Sequence, residues 1–287
     1  MNKKSIYSAL LASAVIAGVY TTPASANIDI SNWQLSLPGI LDTGINQLNF
    51  NGESYVTNTL QNPNVQGVYT STDLGVFNIM QYNNGNALHL NNGQLTGVFQ
   101  ATDLTNLTGS TPNYIFTGGT FTLYYNPSQV YGTTSANLYG AQTGTAFATF
   151  NIQVTNNPNT GGGFLNANGT PTANGTVTVF SAPPATLVGS PFLDSLSVPL
   201  SQNILLGFVT TNASEDTTAN ASNYTIDPNL VAALSGSTGT VNNSPSDLFI
   251  SNGGQFKLQD IPEPATLALM GLGLVGIAMT VRRKQRG

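Results

Sequence analysis

Apolar and polar positions alternate with a period of two over much of the chain. In residues 145–154, Ala146, Ala148, Phe150, Ile152 and Val154 share one parity, while Thr149, Asn151 and Gln153 share the other. That is the pattern of a strand with one buried face. Residues 120–125, Thr-Phe-Thr-Leu-Tyr-Tyr, read the same way. Similar runs at 65–70, 74–80, 86–90, 94–101, 113–117, 176–180, 203–210 and 246–250 are separated by Gly, Asn and Pro. Many short strands between turn signals predict a mainly β, antiparallel, β-sandwich-like domain with long polar loops. Asn84-Gly85, Asn92-Gly93 and Asn174-Gly175 each supply the positive φ that two-residue hairpin turns need. One short helix is predicted. Asp227 caps it, Pro228 opens it, Leu230, Val231 and Leu234 form its apolar stripe, and Gly236 ends it.

Residues 27–260 are read as one domain, with a candidate internal boundary in the Gly- and Asn-rich stretch near 156–175. Residues 212–225 are similarly polar. The segment Gly67-Val68-Tyr69-Thr70-Ser71-Thr72-Asp73-Leu74 is echoed thirty residues later by Gly97-Val98-Phe99-Gln100-Ala101-Thr102-Asp103-Leu104. The echo is either a duplicated ligand loop or two strands that end in the same β-turn. Asp is a common turn residue and no third copy follows, so the second reading is preferred.

The two ends break the pattern. Residues 1–26 open with Lys3 and Lys4, continue through an apolar stretch at 6–19, and close on Ala24-Ser25-Ala26. This is the form of a signal peptide cut after Ala26, leaving Asn27 first. Residues 261–287 begin Ile261-Pro262-Glu263-Pro264 and continue with seventeen uncharged residues, 265–281, before Arg282, Arg283, Lys284 and Arg286. Seventeen apolar residues are the short limit for a transmembrane helix, and the basic cluster marks its cytoplasmic side. Gly271, Gly273 and Gly276 spell a dinucleotide fingerprint, but in a terminal apolar helix they lack the strand and βαβ unit that motif requires.

Pro262-Glu263-Pro264, the Gly/Leu/Ala-rich span and the Arg-rich end together resemble the PEP-CTERM sorting signal of Gram-negative bacteria. The resemblance implies an exosortase as processing partner, membrane association through the 265–281 helix before processing, and release to the cell surface or extracellular matrix. More loosely, the Phe/Tyr-rich run at 116–125 and the region 143–154 resemble the flocculation-associated PEP-CTERM proteins. That likeness implies adhesion within an aggregate or an exopolysaccharide matrix, and no defined active site.

Charge supports an exported, non-catalytic reading. Only 7% of residues are charged, and residues 27–261 hold eleven acids, one base (Lys257) and no Arg, a formal balance of −10. Such a surface does not bind nucleic acid. With no cysteine, neither disulfides nor thiolate metal sites are available. His89, the only histidine, has no G-x-S-x-G elbow to serve. Glu53, Asp73 and Asp103 are candidates for the paired carboxylates of a glycan hydrolase, a reading ranked below solvated surface acids. No cofactor is expected. Calcium at Glu215, Asp216, Asn220, Asn223 and Asp227 is the alternative, although their spacing is not that of an EF-hand. Trp33 and the tyrosines carry a further alternative, a carbohydrate-binding module that stacks aromatic rings on sugars.

Overall fold

The computed structural model describes residues 28–260 except 63–64, 109, 155, 157, 159–160, 167–174, 216–225 and 238–246. Signal-cleavage residues Ala24, Ala26 and Asn27, sorting residues Pro262, Glu263, Pro264, Arg282, Arg283, Lys284 and Arg286, and the 265–281 span lie outside the described residues.

In chain order the strands are β1 (Ile28–Asp29), β2 (Trp33–Leu37), β3 (Ile40–Ile45), β4 (Leu48–Asn62), β5 (Val65–Tyr82), β6 (Asn86–Ala87), β7 (Gln94–Asn106), β8 (Asn113–Asn126), β9 (Thr145–Ile152), β10 (Gly162–Phe164), β11 (Gly175–Leu187), β12 (Phe192–Leu193), β13 (Ile204–Glu215) and β14 (Asp247–Asp260). Among the described residues there is a single regular helix, α1 (Pro228–Ser235), which follows β13. The short turn Ala136–Tyr139 winds left-handed, with φ of 51°, 49° and 60° at Asn137, Leu138 and Tyr139.

The fold is mainly β and antiparallel, as the alternation predicts. The patterning does not show that the main sheet closes. Strand pairs run β4–β5–β7–β8, then β9 and β10 end to end in one position between β8 and β11, then β11–β13–β14, and β14 returns to β4 along a ten-residue ladder from Asp247↔Thr57 to Phe256↔Leu48. The result is an antiparallel barrel of eight strand positions. A barrel of that size is just wide enough inside for side chains or one small ligand.

Inner-face parity follows from the registers. Phe77 lies opposite Gly52 on β4 and Gly97 on β7, and Phe99 lies opposite Gly75 and Phe121. Large rings therefore sit beside residues with no side chain, which lets them interdigitate across the lumen. Phe208 from β13 lies at the centre, with ring centroids 4.4 Å from Phe50, 5.8 Å from Phe77, 5.7 Å from Phe121 and 6.3 Å from Phe99. Each such ring, taken out of water, stabilises the fold by roughly 1.5–3 kcal/mol.

One barrel flank packs against a small three-stranded sheet of β12, β2 and β3. Fully buried Trp33 meets Phe192 edge-on at 5.6 Å, and Phe192 packs on Phe147 and Phe150 of β9. On the outer face, Val76, Val98 and Phe249 are covered by Leu230, Val231 and Leu234 of α1. The helix forms as expected: Asp227 Oδ1 accepts from the Asn229 backbone N–H at 2.8 Å, and Gly236 closes it with φ 69°.

The hairpin expectation needs a shift of register. Positive φ falls on Asn83 and Asn84 (48° and 60°) and on Asn91 and Asn92 (48° and 66°), one residue ahead of the Asn-Gly pairs. Asn tolerates the left-handed region well enough to take both central positions. Asn174 lies outside the described residues. Of the run at 86–90, only Asn86–Ala87 is strand.

Candidate functional site

The β5–β7 ladder brings the two echoed segments together. Asp73 pairs with Ala101 and Asp103 with Ser71, so both aspartates stand mid-strand on the inner face. This corrects the turn reading of the echo. Glu53, flanked by inward Gly52 and Ser54, has the opposite parity and faces out. Of the three candidate carboxylates, the fold unites only Asp73 and Asp103.

They line a cavity of about 50 Å³ between the phenylalanine layer and a polar layer. Phe77, Phe99, Phe116 and Phe208 form the apolar wall, while Ser54, Asn58, Thr105, Tyr114 and Asn252 bring polar atoms. The polar groups are tied to one another. Asn252 Nδ2 donates to Ser54 Oγ at 3.0 Å, Ser71 Oγ donates to Asn58 Oδ1 at 2.6 Å, and Thr105 Oγ1 donates to Asp103 Oδ1 at 2.8 Å. Asp103 is 3% exposed. Asp73 retains some accessible surface as a residue, yet its Oδ1 is shut off from solvent and has no hydrogen-bond partner.

Burial in this low-dielectric wall dominates the acidities. It pushes Asp73 up to about 8, with the Asp103 charge adding and a Ser54 hydrogen bond opposing. It raises Asp103 to about 6, against hydrogen bonds from Thr105 and Ser71. Tyr114 is raised well above its ordinary value by burial and by both aspartates. Two adjacent carboxylates out of water require a proton or a cation between them.

The other expected sites resolve differently. His89 is exposed and its ring and backbone nitrogens both contact the buried Asp42 carboxylate, with the backbone N–H donating at 3.1 Å. Its hydrogen bonds among the described residues go to that carboxylate and to no serine, which leaves a triad incomplete. Asp227, one of the five calcium candidates, has both oxygens engaged: one by the helix cap, the other by the Tyr139 hydroxyl at 2.7 Å. Asp216, Asn220 and Asn223 lie outside the described residues, and Glu215 ends β13. Trp33, fully buried against Phe192, offers no face to a sugar. Among the described residues no helix is long and apolar enough to cross a membrane, and no cluster of three or more His, Cys, Asp or Glu is present.

Fold and site define a closed antiparallel barrel whose one notable chemical feature is an internal acid pair. Residues 260–284 match the family model for the PEP-CTERM protein-sorting motif, so the chain carries a PEP-CTERM sorting signal there. That motif implies an exported surface protein of a Gram-negative bacterium, with an exosortase as its processing partner. No curated protein and no solved structure matches the chain.

Proposed function

We propose that this is a non-enzymatic protein of the cell surface or extracellular matrix that supports cell aggregation by associating with exopolysaccharide after exosortase processing. The reading rests on the sorting motif at 260–284, joined to a domain rich in Asn, Thr, Ser and Gln but nearly without base. Hydrated amide and hydroxyl groups form many weak contacts with polysaccharide, and repeated copies in a matrix gain avidity. The likeness of 116–125 and 143–154 to flocculation-associated proteins supports the same role. Absence of catalysis is supported by geometry: Glu53 faces away from Asp73 and Asp103, so the three candidate carboxylates do not converge on one cleft.

The test is genetic. A strain lacking the gene is complemented with the full chain or with a chain lacking 261–287, and sedimentation of aggregates and retained polysaccharide are measured. The full chain is expected to restore both and the truncated chain neither. Equal aggregation in all strains overturns the proposal. Because a domain of formal charge −10 repels its copies, low salt and EDTA are expected to disperse restored aggregates.

A further inference from the structure

We infer that the barrel interior holds a calcium site, built from the Asp73 and Asp103 carboxylates with neighbouring hydroxyl and amide oxygens as further ligands. The inference concerns the inside of the domain and is independent of its role in aggregation.

Three observations carry it. First, the β5–β7 register places both carboxylates on one inner face, one diagonal step apart, where a single ion can bridge them. Second, Asp73 Oδ1 is buried without a hydrogen-bond partner, so the polar network that satisfies Asp103 leaves one strong acceptor over. A buried charged acceptor in that state is costly, and a cation would satisfy it. Third, size and donor type select the ligand. A cavity of about 50 Å³ has room for an ion with one or two waters.

The side chains lining the space offer oxygens from the two carboxylates, Ser54, Asn58, Thr105, Tyr114 and Asn252, whose Nδ2 is held by Ser54. Oxygen-only sites take hard cations, and one built from carboxylates, an amide and hydroxyls on separate strands suits the flexible six- to eight-fold coordination of Ca²⁺. Mg²⁺ demands near-ideal octahedral geometry and holds its waters. Two carboxylates balance the ion's charge, and the apolar wall of Phe77, Phe99, Phe116 and Phe208 strengthens the attraction by keeping the local dielectric low. With only two formal charges among the ligands, affinity is expected in the extracellular range, a Kd on the order of 10⁻⁴–10⁻³ M.

The experiment uses the full-length chain in detergent, freed of metal with EDTA and titrated with Tb³⁺, a calcium surrogate that emits when excited through a nearby tyrosine such as Tyr114. Saturable emission at one ion per chain, displaced by Ca²⁺, is expected. The affinity is expected to fall roughly tenfold or more in Asp73→Asn and in Asp103→Asn, and to stay unchanged in Glu53→Gln on the outer face. Unsaturable emission, or equal affinity in all variants, overturns the inference and leaves a proton as the partner of the pair. Anomalous diffraction from Tb³⁺-soaked wild-type crystals does not depend on any variant folding. A peak between Asp73 and Asp103 supports the site, and peaks confined to the surface overturn it.

Discussion

Asp73 and Asp103 stand diagonally across the β5–β7 ladder, each two residues from the other's partner, with both carboxylates inside the barrel. Their separation by thirty residues in sequence, within two echoed segments, becomes adjacency because β5 and β7 pair directly, with β6 only a two-residue spur on β5. The pair lies where a barrel of this size otherwise packs side chains.

The pair gives stability an unusual pH dependence. In the folded state Asp73 is raised to about 8 and Asp103 to about 6, from an ordinary 3.8. The folded chain therefore binds more protons than the unfolded chain between those limits, and stability falls as pH rises from about 4 to about 8. The slope for one fully linked group is at most about 1.4 kcal/mol per pH unit. Asp73, Asp103 and Tyr114 are the titratable groups lining the cavity, and Tyr114 stays protonated throughout that window. In EDTA, the wild-type melting temperature is expected to drop between about pH 4 and about pH 8, while Asp73→Asn shows a flatter profile. Parallel profiles for the two proteins would contradict the assignment.

Phe208 is the keystone of the ring cluster. Its ring stacks on Phe50 at 4.4 Å and meets Phe77, Phe99 and Phe121 within 6.3 Å. Phe208→Ala leaves a cavity bounded by four rings that closed strands hold apart, so little collapse is available to fill it. Destabilisation of about 3–5 kcal/mol is expected, read as a lower urea midpoint at unchanged slope. A loss below about 1 kcal/mol would show that the barrel relaxes around the gap.

Much of this was legible in the sequence where a single local cause decided the structure. The helix from Pro228 to Ser235 carries its cap, first-turn proline, stripe and terminal glycine in a dozen residues, and it forms as read. Residues 148–152 alternate because one face meets the core, whereas Phe147, of the other parity, is buried too where the β8–β9 register shifts. β4 escaped notice because its inner face, Phe50, Gly52, Ser54, Val56 and Asn58, runs from the ring cluster into the polar cavity, so hydrophobic alternation fades along it. Closure through β14 and β4 joins residues nearly 200 apart, which no local pattern encodes. Asp73 and Asp103 were visible as a repeated position, but aspartate in a polar run carries the signature of a turn. Only the register shows that both point inward.

Asp227 links the helix cap to the left-handed turn. One carboxylate oxygen caps α1 and the other accepts from the Tyr139 hydroxyl, whose acidity is lowered chiefly by burial and further by this bond. Asp227→Asn keeps an acceptor for the cap, whereas Asp227→Ala removes both bonds. A loss of about 1–2 kcal/mol is expected for the alanine variant and much less for asparagine. A double-mutant cycle with Tyr139→Phe is expected to yield a coupling of about 0.5–1.5 kcal/mol. Strict additivity would mean that the hydroxyl contact contributes nothing.

Gly97 makes room for a ring. A Cβ at that position would stand 2.6 Å from Phe121 Cζ, on the inner face where Phe77 pairs with the glycine. Gly97→Ala therefore displaces Phe121 toward Phe256, whose ring lies 5.9 Å away. Overpacking of about 1–3 kcal/mol is expected, and Phe121→Leu in the same chain is expected to recover part of it. Failure of the second change to relieve the first would place the strain in the backbone and not in the ring.

The sorting motif makes a prediction about covalent structure. In the processing proposed here, a signal peptide is cut after Ala26, leaving Asn27 first, and an exosortase cuts near Pro262-Glu263-Pro264, removing the apolar span and its basic cluster. The protein recovered from the medium of its host is therefore expected to have an intact mass matching a chain from Asn27 to the region of 262–264, with any attached sugar added. Two variants separate the steps. Replacing Pro262 and Glu263 with alanine is expected to leave a cell-associated chain that retains 265–287, because the span and Arg282, Arg283, Lys284 and Arg286 still stop translocation. Neutralising the four basic residues is expected to weaken that stop and leak unprocessed chain. An extracellular wild-type species that keeps residues 265–287 would show that release proceeds without cleavage at the motif.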